Sequence, residues 1–174
     1  MKKAFSAFLL LALMSFASAS SIIMVQASKP IEVNGTYSPL PPPIENIVTV
    51  DGKSDNVNQD VVIRVRWLGS ISGTGTLEMN STNLNVGTPD ERGVIHGVLT
   101  LTTGISILGV VKTGTLTIKL HNVIEHGNKN GGVWRIVGGT GDLEQLHGEG
   151  TLEMTVFQPP LIVIAYTGQV HYEP

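Results

Sequence analysis

The stretch GGTGDLEQLHGEG, residues 138–150, has the glycine density of a loop that holds phosphate. Such a loop needs its glycines to open a helix whose first amides face the anion. The Lys-Ser/Thr of a P-loop and the third glycine of a dinucleotide fingerprint are missing here, and a strand pattern follows Gly150. Asp142, Glu144 and Glu149 would also repel a phosphate. Phosphate binding is rejected. The segment reads as a tight turn in which Asp142 caps one helical turn, DLEQL, while Leu143 and Leu146 plug one end of a barrel.

Metal chemistry has little to start from. HNVIEH, residues 121–126, has the residue types of a helical zinc motif but is one residue too long and lies in a strand and turn. On a strand His121 and Glu125 share a face but stand about 13 Å apart, too far for one ion. His96, His147 and His171 have no ligand spacing, so no metal or cofactor is expected. DGKSDNVNQD, residues 51–60, lacks the alternating order of a calcium loop and reads as a solvated hairpin loop.

Acid–base and nucleophilic chemistry have weak candidates only. There is no G-x-S-x-G elbow and no cysteine. Among the carboxylates, strand parity turns Glu78 and Glu153 outward, and Glu149 sits at a kink where it could point either way. In GGVWRIVGG, Trp134 and Arg135 fall on opposite faces, and one of them must face the interior. A lone buried Arg is costly, which favours Trp134 inward; an inward Arg135 would need a partner such as Glu149. Arg135, Glu149 and Tyr166 are therefore the candidate catalytic groups. Trp67 and Trp134 are the candidates for stacking on a flat apolar ligand.

The elements that must carry these groups are strands. Val61, Ile63, Val65 and Trp67 alternate with Arg64 and Arg66; Leu116, Ile118 and Leu120 alternate with Thr117, Lys119 and His121. Leu152, Met154 and Val156 alternate in the same way with Thr151, Glu153 and Thr155. Further strands are expected at 31–37, 44–50, 73–79, 94–103, 132–137 and 161–172, about nine in all, as in an antiparallel sandwich or barrel. SPLPPP, residues 38–43, reads as a stiff link or edge segment rather than part of a ladder. GTGTLEM at 73–79 and GEGTLEM at 148–154 nearly repeat, and their alternate glycines suit two strands that kink at barrel corners.

The totals bound the rest. A chain of 174 residues, 41% hydrophobic and 14% charged, is enough for one domain with a real core. Lys2 and Lys3, an apolar run from Ala4 and small residues at Ala17-Ser18-Ala19 and Val25-Gln26-Ala27 form an export signal over residues 1–27, with cleavage expected after Ala27. The alternative is an uncleaved membrane anchor over residues 4–25. Residues 28–174 are then a single barrel domain, extracytoplasmic or secreted. Without Lys2 and Lys3, nine basic residues face fourteen acidic ones, a net charge of −5, which gives no footprint for nucleic acid. With no cysteine, disulfides and a lipid-bearing Cys are excluded. Asn34 and Asn80 open N-x-S/T glycosylation acceptors, a sign of surface placement.

WRIVGGTGDLEQLHGEGTLEM, residues 134–154, resembles a bacterial and archaeal family of unknown function related to the allene oxide cyclase barrel and, more distantly, to dirigent proteins. GTYS at 35–38, GSISGTGTLEM at 69–79 and the closing YTGQVHYEP are similar to segments of that family as well. The resemblance implies an eight-stranded antiparallel barrel; the export signal and SPLPPP depart from the cytosolic family pattern.

The expectation is an all-β protein: a closed antiparallel β-barrel of about eight glycine-kinked strands behind an N-terminal signal helix. Its expected role is non-enzymatic binding of a small apolar molecule or a partner protein. The alternative is a cyclase or isomerase acting on a hydrophobic substrate in the barrel mouth.

Overall fold

The structure is a computed structural model that describes residues 28–40, 56–85, 90, 92–125, 131–158 and 161–173. Among the described residues nine strands follow one another: β1 (Ile31–Pro39), β2 (Asn56–Gly69), β3 (Ile71–Leu84), β4 (Arg92–Ile107), β5 (Val110–Val111), β6 (Leu116–Glu125), β7 (Gly131–Gly139), β8 (Leu146–Gln158) and β9 (Leu161–Tyr172). Between β7 and β8 lies a single 3-10 turn, Gly141–Leu143. The described residues contain no α-helix.

Eight of the strands form a ring in the order β1-β2-β3-β4-β6-β7-β8-β9, closed by β1 pairing with β9, and every pairing is antiparallel. Closure leaves these strands no free edge, which removes the usual route to edge-to-edge aggregation. The ninth, β5, is two residues folded back onto the end of β4. It is too short for alternation to reveal. The expected strand at 44–50 and the export segment at 1–27 lie outside the described residues.

Inside the ring, alternation does the packing. Val61, Val65, Trp67, Leu77, Leu99, Leu116, Ile118, Trp134, Leu152 and Tyr166 are all buried. Tyr37 stacks flat on Trp67, with centroids 4.8 Å apart, and Tyr166 tilts against the same indole at 4.6 Å. Trp134 meets the Tyr166 ring edge-on at 6.1 Å. Such aromatic contacts each add roughly 0.5–1.5 kcal/mol beyond the area they bury. Leu143, in the turn, and Leu146, the first residue of β8, are sealed at 0% and 1% exposure and belong to the barrel core.

Three local readings are corrected. Asp142 does not cap the helical turn: Thr140 holds the capping position, without a side-chain cap bond, and the turn spans Gly141–Leu143 rather than DLEQL. The Asp142 carboxylate instead accepts from the Thr113 backbone N–H and hydroxyl, both at 2.9 Å. It thereby ties the β5–β6 link to the turn. Residues 56–60 belong to β2 rather than to a hairpin loop, because β3 runs on to Leu84 and offers Asn83, Thr82 and Ser81 as partners for Asn56, Val57 and Asn58. The start of SPLPPP likewise joins the ladder: Ser38 and Pro39 pair with Arg66 and Val65, and the Leu40 N–H donates to Arg64 at 2.7 Å. Pro39 is tolerated there because its missing N–H falls beyond Tyr37–Ile164, the last β1–β9 pair.

The repeated glycines act through close approach. A Cβ on Gly150 would come within 2.6 Å of Trp134 Nε1, and one on Gly168, its cross-strand partner, within 2.6 Å of Trp134 Cζ2. Trp134 therefore lies across a bare patch of two strands. Its indole N–H donates to the Thr167 carbonyl at 3.0 Å.

Candidate functional site

Sequence parity separated inward from outward residues; register decides which outward residues become neighbours. Across β2, β3, β4, β6, β7 and β8 one row reads Val62, Glu78, Val98, Lys119, Arg135 and Glu149, each directly opposite the next. The adjacent row over β3, β4, β6 and β7 reads Asn80, His96, His121 and Val133. These two rows, Glu149 excepted, line a groove of about 540 Å³ on the outer wall. That volume lies within the roughly 300–1,000 Å³ range of small-molecule sites.

The groove is polarised. Asp60 and Glu78 stand on its β2–β3 side and Lys119 and Arg135 on its β6–β7 side, with Val98 and Val133 exposed at 37% and 52% between and beside them. Lys119 and Arg135 are opposite one another in register, an arrangement that like charges make unfavourable. The ion pairs found among the described residues join His147 and His171 to Glu173; neither cation takes part in one. Two unpaired cations held side by side beside apolar surface suit an anion with an apolar body.

At the centre of the groove His96 and His121 meet across β4 and β6, with Nδ1 to Nδ1 at 3.1 Å and ring centroids 4.5 Å apart. For this contact to be a hydrogen bond, one Nδ1 must carry a proton and the other must not. Neither spacing nor motif could have found this pair, because the residues lie 25 apart in the chain and only register unites them. His147 and His171 form a second cross-strand pair on β8 and β9, their rings 5.7 Å apart. Glu173 approaches their Nε2 atoms at 3.5 and 3.8 Å. Among the described residues, no group of three or more His, Cys, Asp or Glu converges on a metal position.

The candidate catalytic groups do not share one cavity. Arg135 and Glu149 are register partners on β7 and β8, both exposed on the outside. Tyr166 is 1% exposed inside the barrel. Its hydroxyl donates to the Ile71 carbonyl at 2.8 Å and accepts from the Ile71 N–H at 2.9 Å. Burial raises its pKa, and the Ile71 N–H and the neighbouring Trp67 indole oppose that rise. Burial alone pushes the Tyr37 phenol up well beyond its ordinary value. Both phenols are therefore neutral core groups.

The two tryptophans face inward, the orientation of Trp134 that the cost of burying Arg135 favoured. Trp67 is 0% and Trp134 1% exposed, each covered by tyrosine. Either would meet a ligand only after core side chains moved. The Trp67 N–H is buried without a hydrogen-bond partner: it lies beside the Tyr166 hydroxyl but without hydrogen-bond alignment.

No protein-family model matches this chain, and no curated protein matches it either. Solved structures do. A protein of unknown function from the DUF3224 family of Shewanella oneidensis MR-1 is 17% identical with a TM-score of 0.57, over 84% of this chain and 99% of that one. The pterocarpan synthase dirigent protein GePTS1 is 13% identical with a TM-score of 0.48, over 90% of this chain and 96% of its own. A second pterocarpan synthase dirigent protein, PsPTS1, gives 14% identity and a TM-score of 0.49, over 86% of this chain and 99% of its own. The barrel of this chain thus has the fold of the DUF3224 structure, with dirigent proteins also among its structural neighbours.

Proposed function

We propose that this chain is an exported, non-enzymatic binding barrel that takes a small molecule with an apolar body and an anionic group on its outer wall. Export rests on Lys2, Lys3, the apolar run and the small residues at Ala27; retention of residues 4–25 would leave the barrel tethered to a membrane. The observation that carries the binding reading is the Lys119–Arg135 pair. The two cations are opposed in register, take part in no ion pair among the described residues although Glu149 stands opposite Arg135 on its other side, and are set beside Val98 and Val133 in a groove of ligand size. An incoming anion would relieve their repulsion, while the valines would cover its apolar part.

The interior supports this choice of face. Trp67, Trp134, Tyr166, Leu99, Leu116 and Ile118 are each 1% exposed or less, so side chains occupy the space that an interior ligand would need. A cyclase or isomerase reading would require Arg135, Glu149 and Tyr166 around one substrate, and the barrel wall stands between the first two and the third.

Fluorescence of 1-anilinonaphthalene-8-sulfonate, an aromatic body with one sulfonate, tests the reading. A saturable rise is expected with the native chain, at least tenfold weaker in the Lys119→Gln/Arg135→Gln variant. That variant should melt close to the parent, since it loses the like-charge Lys119–Arg135 contact together with the opposite-charge Arg135–Glu149 neighbour. Equal dye affinity in the two proteins would overturn the assignment.

A further inference from the structure

We infer that His96 and His121 form a two-imidazole site for a divalent transition metal of the zinc class, within the outer-wall groove. The Nδ1 atoms are 3.1 Å apart. Two imidazole nitrogens at about 2.0–2.1 Å from one zinc ion, at the tetrahedral angle, stand about 3.3 Å from each other. The pair thus needs a shift of only a few tenths of an ångström to chelate.

That approach is imposed by the barrel rather than by the rings. His96 lies directly opposite His121 in the β4–β6 register, and both side chains are on the outer face. In the metal-free state the two nitrogens share one proton. Binding uses both Nδ1 lone pairs, so that proton leaves Nδ1 and the same ring takes one up at Nε2. The ring ends as neutral as it began, and no other reactant is needed. When the pair carries an additional proton, that proton passes to solvent, so acid weakens binding.

Two ligands leave the remaining positions of the ion to water or to a molecule in the groove. Among the charged neighbours, Asp60 and Glu78 favour a cation: the Asp60 N–H bonds to Asn80, which faces His96, and Glu78 faces Val98, two residues along β4 from His96. Lys119 and Arg135 line the same groove and oppose one, which sets the site among exchangeable rather than permanently filled ones. The His147–His171 pair differs, with rings 5.7 Å apart and Nε2 atoms turned to Glu173. It serves as the internal control.

The test is isothermal titration of Zn2+ into the untagged chain carrying His147→Ala/His171→Ala, at pH 7.5 and pH 5.5. One binding event per chain is expected at pH 7.5, weakened at pH 5.5, with a rise in melting temperature on adding Zn2+. Adding His121→Ala, or separately His96→Asn, should weaken it at least tenfold and abolish the thermal shift. Circular dichroism of these exposed-face variants checks that the barrel is intact. Zn2+ binding that survives His121→Ala unchanged, or that vanishes already with His147→Ala/His171→Ala, overturns the inference. The metal site and the anion reading fail separately: dye binding reports on Lys119 and Arg135, and Zn2+ on the two histidines.

Discussion

The Tyr166 hydroxyl satisfies both backbone polar groups of Ile71, a residue 95 positions earlier in the chain. Ile71 opens β3, where the chain has just turned from β2 and has no second strand to bond. A side chain from β9 takes the part of that missing strand, and so ties the closing strand across the barrel interior to the β2–β3 corner.

Removing that oxygen should be expensive. Tyr166→Phe keeps the ring against Trp67 but strands a buried N–H and a buried carbonyl on Ile71, itself 0% exposed. A loss of about 1–3 kcal/mol is expected. Urea unfolding, read as a lower midpoint at unchanged slope, checks it. A midpoint equal to the parent's would mean that water reaches Ile71.

The bare patch under Trp134 predicts a contrast between glycines. Gly168→Ala pushes a methyl group into the indole and the opposing backbone and should cost about 1–3 kcal/mol. At Gly138 an added Cβ meets nothing within 4 Å. Gly138→Ala should then be neutral within about 0.5 kcal/mol. Melting temperatures of the two variants decide the matter; equal effects would show that Trp134 does not rest on Gly168.

Asp142 gives the acid limb of stability a specific contributor. The Thr113 backbone N–H first, then the Thr113 hydroxyl, hold its pKa below the ordinary 3.8; slight desolvation opposes them and Lys112 adds to them. A carboxyl whose folded pKa is depressed stabilises the fold fully above its unfolded value. It loses that contribution as pH falls through the folded value. Asp142→Asn should therefore lower the urea midpoint at pH 6, with the gap to the parent closing below about pH 3.8. A gap independent of pH would remove the charge from the explanation.

Much of the barrel was legible in the chain because strand parity is local. Val65 beside Arg66, Leu120 beside Lys119 and Trp134 beside Arg135 each report which face is wet, through the cost of burying a charge and the gain from burying an apolar group. Two local features that sequence misread, one strand boundary and one cap, have physical causes. Asn56, Val57 and Asn58 carry a loop-like composition and are strand only because β3 is long enough to pair with them. Asp142 looked like a cap because an acid beside a glycine at the start of a turn often is one; Thr113, 29 residues away, competes for it and wins.

By itself, then, the sequence determined that the chain is all-β and which face is buried in the strands that alternate cleanly, and it favoured Trp134 over Arg135 as the inward group. Tertiary structure alone decided which outward residues stand together. Lys119 meets Arg135, and His96 meets His121, because the β4–β6–β7 register sets them opposite. Parity depends on the next residue in the chain, whereas register depends on how a whole ring of strands closes, and no spacing along one strand encodes it.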